Sequence, residues 1–425
     1  MKQYTWAMVN SLRNWNLSQE KLLKLQTKRL HSLLCSAYDN TEYYRKSMES
    51  VGFNPHSDFK SLEDLSKIPT TNKTVIKKTG VDSFLNQKLD PEKCFREKTT
   101  GSTGVPLTIY RSETERSIQV AKWMRTLMVN GYKPWDRVMA IVPGNRKAQG
   151  KTILQKLNLF RRHVVDFLCT KEEMAMEFLT HKPHVLYGNV ASIIPMAEYL
   201  EELQKENKSL KFVVTTGEML PDATKEKLSK IFKVPIVNSY GSTEMGVMAF
   251  ETPHHEGMFL SSDFTYFEFL DDNNNPVQPG EEGRVVVTDL FNHTMPFIRY
   301  NHNDLAVHEI VKSGKYKNMK IVKKILGRYN DVIKFRNGHQ YTENFISEVL
   351  VGFQNISKYR IVQNNYEQLD IILEGEKAYI EQIENDVKKT FYDKIPEQID
   401  LNIIQKNYIE PENNSKFRTI ISNLV

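Results

Sequence analysis

Cysteine is scarce in this chain of 425 residues: Cys35, Cys94 and Cys169 stand far apart and form no CxxC pair. A disulfide framework and a cysteine zinc site are thereby excluded. No stretch reaches the roughly 18 consecutive apolar residues of a membrane-spanning helix. The first residues, Met1-Lys2-Gln3-Tyr4-Thr5-Trp6, lack the apolar core of a leader, so a cytoplasmic, untargeted protein is expected. Charge of one sign is not in excess. Fifty-eight Lys and Arg against 52 Asp and Glu leave +6, spread thinly, which argues against a nucleic-acid partner. The runs at 21–29 and 312–324 read as solvated basic faces. GxGxxG is missing, and Val105-Pro106-Leu107 stands where a P-loop would carry its lysine. Dinucleotide folds and P-loop ATPases therefore have no support.

What remains is a globular composition, 40% hydrophobic and 26% charged, long enough for two or three domains. Two short segments stand out. Thr99-Thr100-Gly101-Ser102-Thr103-Gly104 packs four hydroxyls and two glycines into six positions, a composition suited to wrapping anionic oxygens. Tyr240-Gly241-Ser242-Thr243-Glu244 offers a ring, hydroxyls and a carboxylate, the parts needed to stack a base, touch a phosphate and hold Mg²⁺. Each alone is weak. Together they point to activation of a substrate by ATP.

Leu30, Leu33, Leu34 and Ala37 fall on one helical face, and Asn16 with Gln19 forms a candidate capping box. From about residue 120, apolar runs alternate with helical stretches such as Asp222–Phe232. The runs Val138–Val142, Val185–Tyr187, Phe212–Val214 and Val234–Val237 each feed a polar loop. This is the α/β pattern of a mostly parallel sheet, whose ligands sit beyond the strand carboxyl ends. Phe264–Leu270 and Arg284–Leu290 read as strands around a turn-rich link. Beyond Gly327-Arg328-Tyr329-Asn330-Asp331, strands near Tyr359–Val362, Leu369–Leu373 and Ile399–Ile404 with a helix near Ala378–Phe391 form a small α+β domain. The expected organisation is a large α/β domain over 1–329 and a small mobile domain over 330–425.

In this order the motifs resemble the adenylate-forming superfamily of acyl-CoA synthetases and peptide-synthetase adenylation domains. The similar branch is the phenylacetate-CoA ligase family, with its capsular-polysaccharide-associated subgroup. The resemblance runs from Ala37-Tyr38-Asp39-Asn40-Thr41-Glu42-Tyr43-Tyr44-Arg45 to Ser415-Lys416-Phe417-Arg418. It implies that Thr99, Thr100, Gly101, Ser102, Thr103 and Gly104 form a loop around the ATP β- and γ-phosphates. Gly217 and Glu218 would border adenine, and Tyr240 would stack on it beside Gly241 and Ser242. Thr243 would contact the α-phosphate and Glu244 would ligate Mg²⁺. Asp304 would grip the ribose, Arg328 would approach from the domain junction, and Asn330 would be the hinge. Lys416 would bridge the substrate carboxylate and the α-phosphate. Pro143, Gly144, Tyr187, Gly188, Asn189 and Thr216 would line the acyl pocket.

The implied reaction is ATP- and Mg²⁺-dependent activation of a small aryl or alkyl acid to an acyl-AMP, followed by transfer to CoA. Transfer to an amine, a hydroxyl or a carrier-protein thiol is the alternative, and a non-catalytic nucleotide-binding protein the rival. No membrane or nucleic-acid partner is implied, and the chain would be a monomer or homodimer. The match departs in places. The ribose motif, usually Arg-Tyr-Arg-Thr-Gly-Asp, reads Arg299-Tyr300-Asn301-His302-Asn303-Asp304, and the hinge position carries Asn330 rather than Asp or Lys. Asn414-Ser415-Lys416 replaces Ser-Gly-Lys, and Asn337-Gly338-His339-Gln340-Tyr341-Thr342 replaces a Gly-x-Asn-apolar-Pro sequence, which leaves the thiol acceptor open. His254 and His255 read as structural or surface histidines, since a zinc site would want softer ligands.

Overall fold

The computed structural model describes residues 2–99, 107–142, 155, 157–253, 255–312, 319–328, 332–336, 340–342, 349–350, 353, 355–356, 358–395, 399–410 and 419–424. The helices that position the site are α1 (Lys2–Asn14), α2 (Gln19–Asn40), α3 (Glu113–Val129), α4 (Lys171–His181), α5 (Val190–Glu202), α6 (Asp222–Phe232) and α7 (Lys377–Lys394). Along α2, Leu30, Leu33, Leu34 and Ala37 are fully buried, as their spacing predicts. The expected Asn16–Gln19 box is replaced by Ser18, whose hydroxyl accepts from the Lys21 N–H. Asn16 is otherwise engaged: its N–H closes the end of α1 on the Arg13 carbonyl.

A hairpin of β1 (Phe95–Lys98) and β2 (Thr108–Arg111) carries the glycine-rich loop. The main sheet follows with β3 (Arg137–Val142), β4 (Arg161–Asp166), β5 (Val185–Asn189), β6 (Phe212–Thr216) and β7 (Ile236–Ser242). It continues through β8 (Gly246–Thr252), β9 (His255–Leu260), β10 (Thr265–Leu270), β11 (Glu282–Asp289), β12 (Tyr300–Ile310) and β13 (Lys320–Arg328). Among the described residues these make eleven strands in the order β10-β11-β12-β13-β9-β8-β7-β6-β5-β3-β4. The expectation of parallel strands holds from β4 to β7, and every pair beyond β7 is antiparallel. The cause is local. A three-residue turn after Ser242 folds β8 straight back on β7, where no crossover helix fits.

The parallel half is covered on both faces, which explains its near-continuous apolar runs. Met139, Ile141, Leu186 and Val213 face Ala175 and Phe178 of α4 and Ile193 and Met196 of α5. Val138, Val185, Phe212 and Val237 face Met124 and Leu127 of α3. The antiparallel half, with Phe267, Phe269, Val285 and Val287, packs against α2. The last part builds its own sheet from β16 (Lys358–Gln363), β17 (Gln368–Glu374), β18 (Asp400–Lys406) and β19 (Ile420–Ser422), in the order β18-β17-β16-β19. The short pair β14 (Val332–Lys334) and β15 (Gln340–Thr342) precedes it. Its core, from Ile333 to Ile420 and including Val387 and Phe391 of α7, is separate from the others. The fold is α/β with a small C-terminal α+β unit. No helix of the described residues is long and apolar enough to cross a membrane.

α3 brings two cations into the interior. Arg125 pairs with Asp263 at 2.9 Å, and Lys122 Nζ donates to the Met245 carbonyl at 2.5 Å and to Thr265 Oγ1 at 3.3 Å. Burial holds the Lys122 ammonium down at about 8 against an ordinary 10.5, with Asp289 opposing the shift. Between those values the unfolded chain keeps a proton that the folded chain has released, so stability rises with pH across the window. Denaturant titrations from pH 7.5 to 10.5 are expected to show this rise in the parent chain and to lack it in Lys122→Met.

Candidate active site

The carboxyl ends of the parallel strands bring several candidate residues to one edge. Gly188 lies beside Ile141, Asn189 beside Thr216, and Thr216 beside Ser239. Gly188 packs closely there: a Cβ would meet the Ile141 Cβ at 3.2 Å, tighter than ordinary contact. β3 sends the chain first to β4 on one side and then to β5 on the other, so the strand order reverses here. Such a reversal opens a crevice at the sheet's edge. Gly217 (φ 83°) turns the chain out of β6. Glu218 spends its carboxylate on the Ala191 N–H at 2.7 Å, at the positive N-terminus of α5. Tyr187 packs edge-on against Trp123 of α3, with ring centroids 5.8 Å apart.

The turn between β7 and β8 carries Thr243 and Glu244. Gly241 sits where a Cβ would lie 2.4 Å from the Gly246 carbonyl oxygen, so only glycine lets the two strands approach this closely. Ser242 Oγ accepts from the Met245 N–H at 3.1 Å. Three successive carbonyls point away from the cleft onto buried cations. Arg111 donates to the Thr243 carbonyl at 2.5 Å and to the Glu244 carbonyl at 2.8 Å, and Lys122 takes the Met245 carbonyl. Arg111 also pairs with Glu97 across the hairpin that bears the glycine-rich loop. The loop hairpin and the acidic turn are thus fastened through one guanidinium.

The other wall is β12. Tyr240 donates its hydroxyl to Asp304 Oδ2 at 2.6 Å, and Tyr300 donates to Glu244 Oε1 at 3.3 Å. Burial, then the Asp304 charge, push the Tyr240 phenol well above its usual range, so it stays a donor. Tyr300 is raised in the same way by burial and Glu244. Asp304 is registered against Arg328 on β13. His302 lies edge-on to Tyr300 at 5.1 Å, and its enclosed Nε2 has no hydrogen-bond partner. Burial lowers its pKa against the pull of Asp304 and Glu244. Arg299, in a left-handed conformation (φ 47°), donates to the Ser66 and Ile68 carbonyls and pairs with Glu268. That contact lays residue 71 alongside Tyr300 and delivers Lys73, whose Nζ donates to Thr99 Oγ1 at 3.0 Å.

Of the motif residues, Thr216 ends β6 and Gly217 follows it, Tyr240, Gly241 and Ser242 end β7, Thr243 and Glu244 form the turn after it, Asp304 and Arg328 pair across β12 and β13, and Thr99 follows β1. Thr100, Gly101, Ser102, Thr103, Gly104, Pro143, Gly144, His254, Asn330 and Lys416 lie outside the described residues. His255 pairs with Thr252 within the β8–β9 ladder. Sequence reasoning missed Lys73, Arg111, Lys122, Tyr300 and His302. A cation two residues before the capped start of α3, and another inside that helix, were the only available signals.

Comparison with known proteins now decides the class. Residues 99–291 match the family model described as AMP-binding enzyme. The chain carries an AMP-binding enzyme domain over those residues. It is an adenylate-forming ligase similar in sequence to phenylacetate-CoA ligases. Phenylacetate-coenzyme A ligase of Thermus thermophilus is 24% identical over 374 residues, covering 83% of this chain and 81% of that protein. Protein CapK of Staphylococcus aureus is 24% identical over 377 residues, covering 83% and 78%. Among solved structures, 2-hydroxyisobutyryl-CoA ligase in complex with 2-HIB-AMP shares the fold, with a TM-score of 0.80, 20% identity, and coverage of 96% of this chain and 91% of that one.

Arg111 gives the enzyme a testable fastening. Arg111→Met leaves the carbonyls of Thr243 and Glu244 without donors, at about 1–3 kcal/mol for each. Denaturant unfolding is expected to show that loss, and calorimetric titration with ATP a weaker Kd. Arg111→Lys, which keeps the charge but cannot span two carbonyls and Glu97, is expected to fall between.

Proposed function

We propose that the enzyme activates a small carboxylic acid with ATP, forming an acyl-AMP, and passes the acyl group to CoA. The convergence of Tyr240 with Asp304 and of Tyr300 with Glu244, across the carboxyl end of β7, carries this reading. Tyr240 presents a ring for adenine, Asp304 a carboxylate for the ribose hydroxyls, and Thr243 a hydroxyl for the α-phosphate. Glu244 with the neighbouring hydroxyls is a hard oxygen donor set that fits Mg²⁺. When bound there, the ion supplies positive charge against the polyphosphate. Gly217 and Glu218 lend backbone beside adenine, while the Glu218 side chain is occupied at α5. Thr99 to Gly104, with Lys73 at their start, take the outer phosphates.

The ionised acid attacks the α-phosphorus in line, and the bond to pyrophosphate breaks. No general base is required, because a carboxylic acid is ionised near neutral pH. Lys416, on the small domain, neutralises charge between the two anions. A thiolate of CoA then attacks the acyl carbon and AMP leaves. We place the domain boundary at residues 329–330, with Asn330 as the hinge on which the small domain turns between the two half-reactions. Pro143, Gly144, Tyr187, Gly188, Asn189 and Thr216 are assigned to the acid, and the last four of them stand at the β3–β5–β6 edge. The surrounding apolar packing favours a small aryl or alkyl acid.

Carboxylate-dependent ATP–pyrophosphate exchange over a panel of small acids is expected to give a signal with at least one of them. Added CoA should then release AMP stoichiometrically. A panel with no exchange at all contradicts the reading. Lys416→Ala should lower exchange by about 10²–10³ while ATP binding, read by calorimetry, persists. Glu244→Gln should move the Mg²⁺ dependence of exchange to higher concentration; an unaltered titration removes Glu244 as the ligand.

A further inference from the structure

At the outer edge of the parallel half, on β4 and α4, three side chains converge on one point. β4 is the edge strand, bonded only to β3 among the described residues, and it carries His163. α4 packs over it through Met174, Ala175 and Phe178, which leaves Glu177 and His181, four residues apart, on the flank of the helix toward His163. His163 Nε2 stands 2.8 Å from Glu177 Oε2, and His181 Nε2 stands 3.1 Å from the same oxygen. The two rings lie 3.6 Å apart at 25°. All three donor atoms fall within 4.8 Å of one another. None of the three is fully buried: side-chain exposures are 34% for His163, 45% for Glu177 and 41% for His181, so one side of the cluster is open to water.

We propose that His163, Glu177 and His181 form a binding site for a borderline divalent cation of the zinc type. Donors about 2.1 Å from one ion stand roughly 3.0–3.4 Å apart, so separations of 2.8 and 3.1 Å already bring these atoms close to the spacing an ion requires. The donor types decide the class. Two imidazole nitrogens and one carboxylate oxygen suit Zn²⁺, Ni²⁺ or Cu²⁺, whereas Mg²⁺ and Ca²⁺ select oxygen. Binding places the Nε2 lone pair of each neutral ring on the ion, with the ring proton carried on Nδ1. Water fills the remaining positions from the open side. The ion ties the sheet's last strand to α4. The site is independent of the Glu244 position in residues, in location and in preferred metal.

The test uses the full chain, stripped with EDTA and free of nucleotide, titrated with ZnCl₂ by calorimetry. One equivalent is expected to bind in the parent protein and to raise its Tm. His163→Gln and His181→Gln should each weaken that event by more than about tenfold and abolish the Tm rise. Glu177→Gln keeps a hydrogen-bonding side chain and should weaken it less. Co²⁺ in place of Zn²⁺ should give d–d absorption in the parent and not in the histidine variants. Lack of a stoichiometric event, or an event unchanged in both histidine variants, overturns the site. Circular dichroism of the metal-free variants, expected to match the parent, separates loss of the site from loss of the fold.

Discussion

Arg111 and Lys122 hold the carbonyls of Thr243, Glu244 and Met245, and the cleft depends on that hold. A turn carrying a carboxylate toward a polyphosphate would be driven apart unless its own peptide dipoles were anchored. Here their negative ends are fixed on buried cations behind the turn. Such cations are costly to bury unless they are paired or hydrogen-bonded. Arg111 is engaged by two carbonyls and Glu97, Lys122 by Met245 and Thr265, and Arg125 next to them by Asp263 and the Ser11 carbonyl. One helix, α3, supplies two of these three groups, and its face behind the sheet carries Met124 and Leu127. The packing of α3 and the chemistry in front of it are therefore one construction.

The sheet explains why the site lies where it does. Parallel strands deliver Gly188, Asn189, Thr216 and Tyr240 to one edge. The reversal after Ser242 then sends the sheet on as antiparallel strands, and β12 returns with Tyr300, His302 and Asp304. The Tyr240–Asp304 hydrogen bond joins the two halves across that change of direction. Arg299, lodged against the carbonyls of Ser66 and Ile68, draws in the N-terminal segment that bears Lys73. Residues from five distant parts of the chain thus meet without any of them being unusual alone.

Much of this was legible in the sequence. The runs at Val138, Val185 and Phe212 were apolar on both faces because helices cover both faces, and that pattern announces parallel strands. Asp222–Phe232 matched its helix to the residue. The nucleotide motifs were legible because hydroxyls, glycines and carboxylates sit in contiguous order. The strand at Arg161–Asp166 was missed because an edge strand with Arg161, Arg162 and His163 lacks the apolar run that marks its neighbours. The Ser18 cap was missed because nothing local reveals that Asn16 closes the preceding helix. Arg111, Lys122 and Tyr300 were missed for a different reason. Glu97 apart, their hydrogen-bond partners are 56 to 143 residues away, and one residue type read alone does not reveal a long-range contact.

A crystal structure with a non-hydrolysable ATP analogue and Mg²⁺ tests the central claim most directly. The account predicts the adenine on Tyr240, the ribose hydroxyls on Asp304, and the triphosphate running from Thr243 and Glu244 toward Thr99. A nucleotide bound elsewhere, or one whose phosphates lie away from the turn held by Arg111, would contradict it.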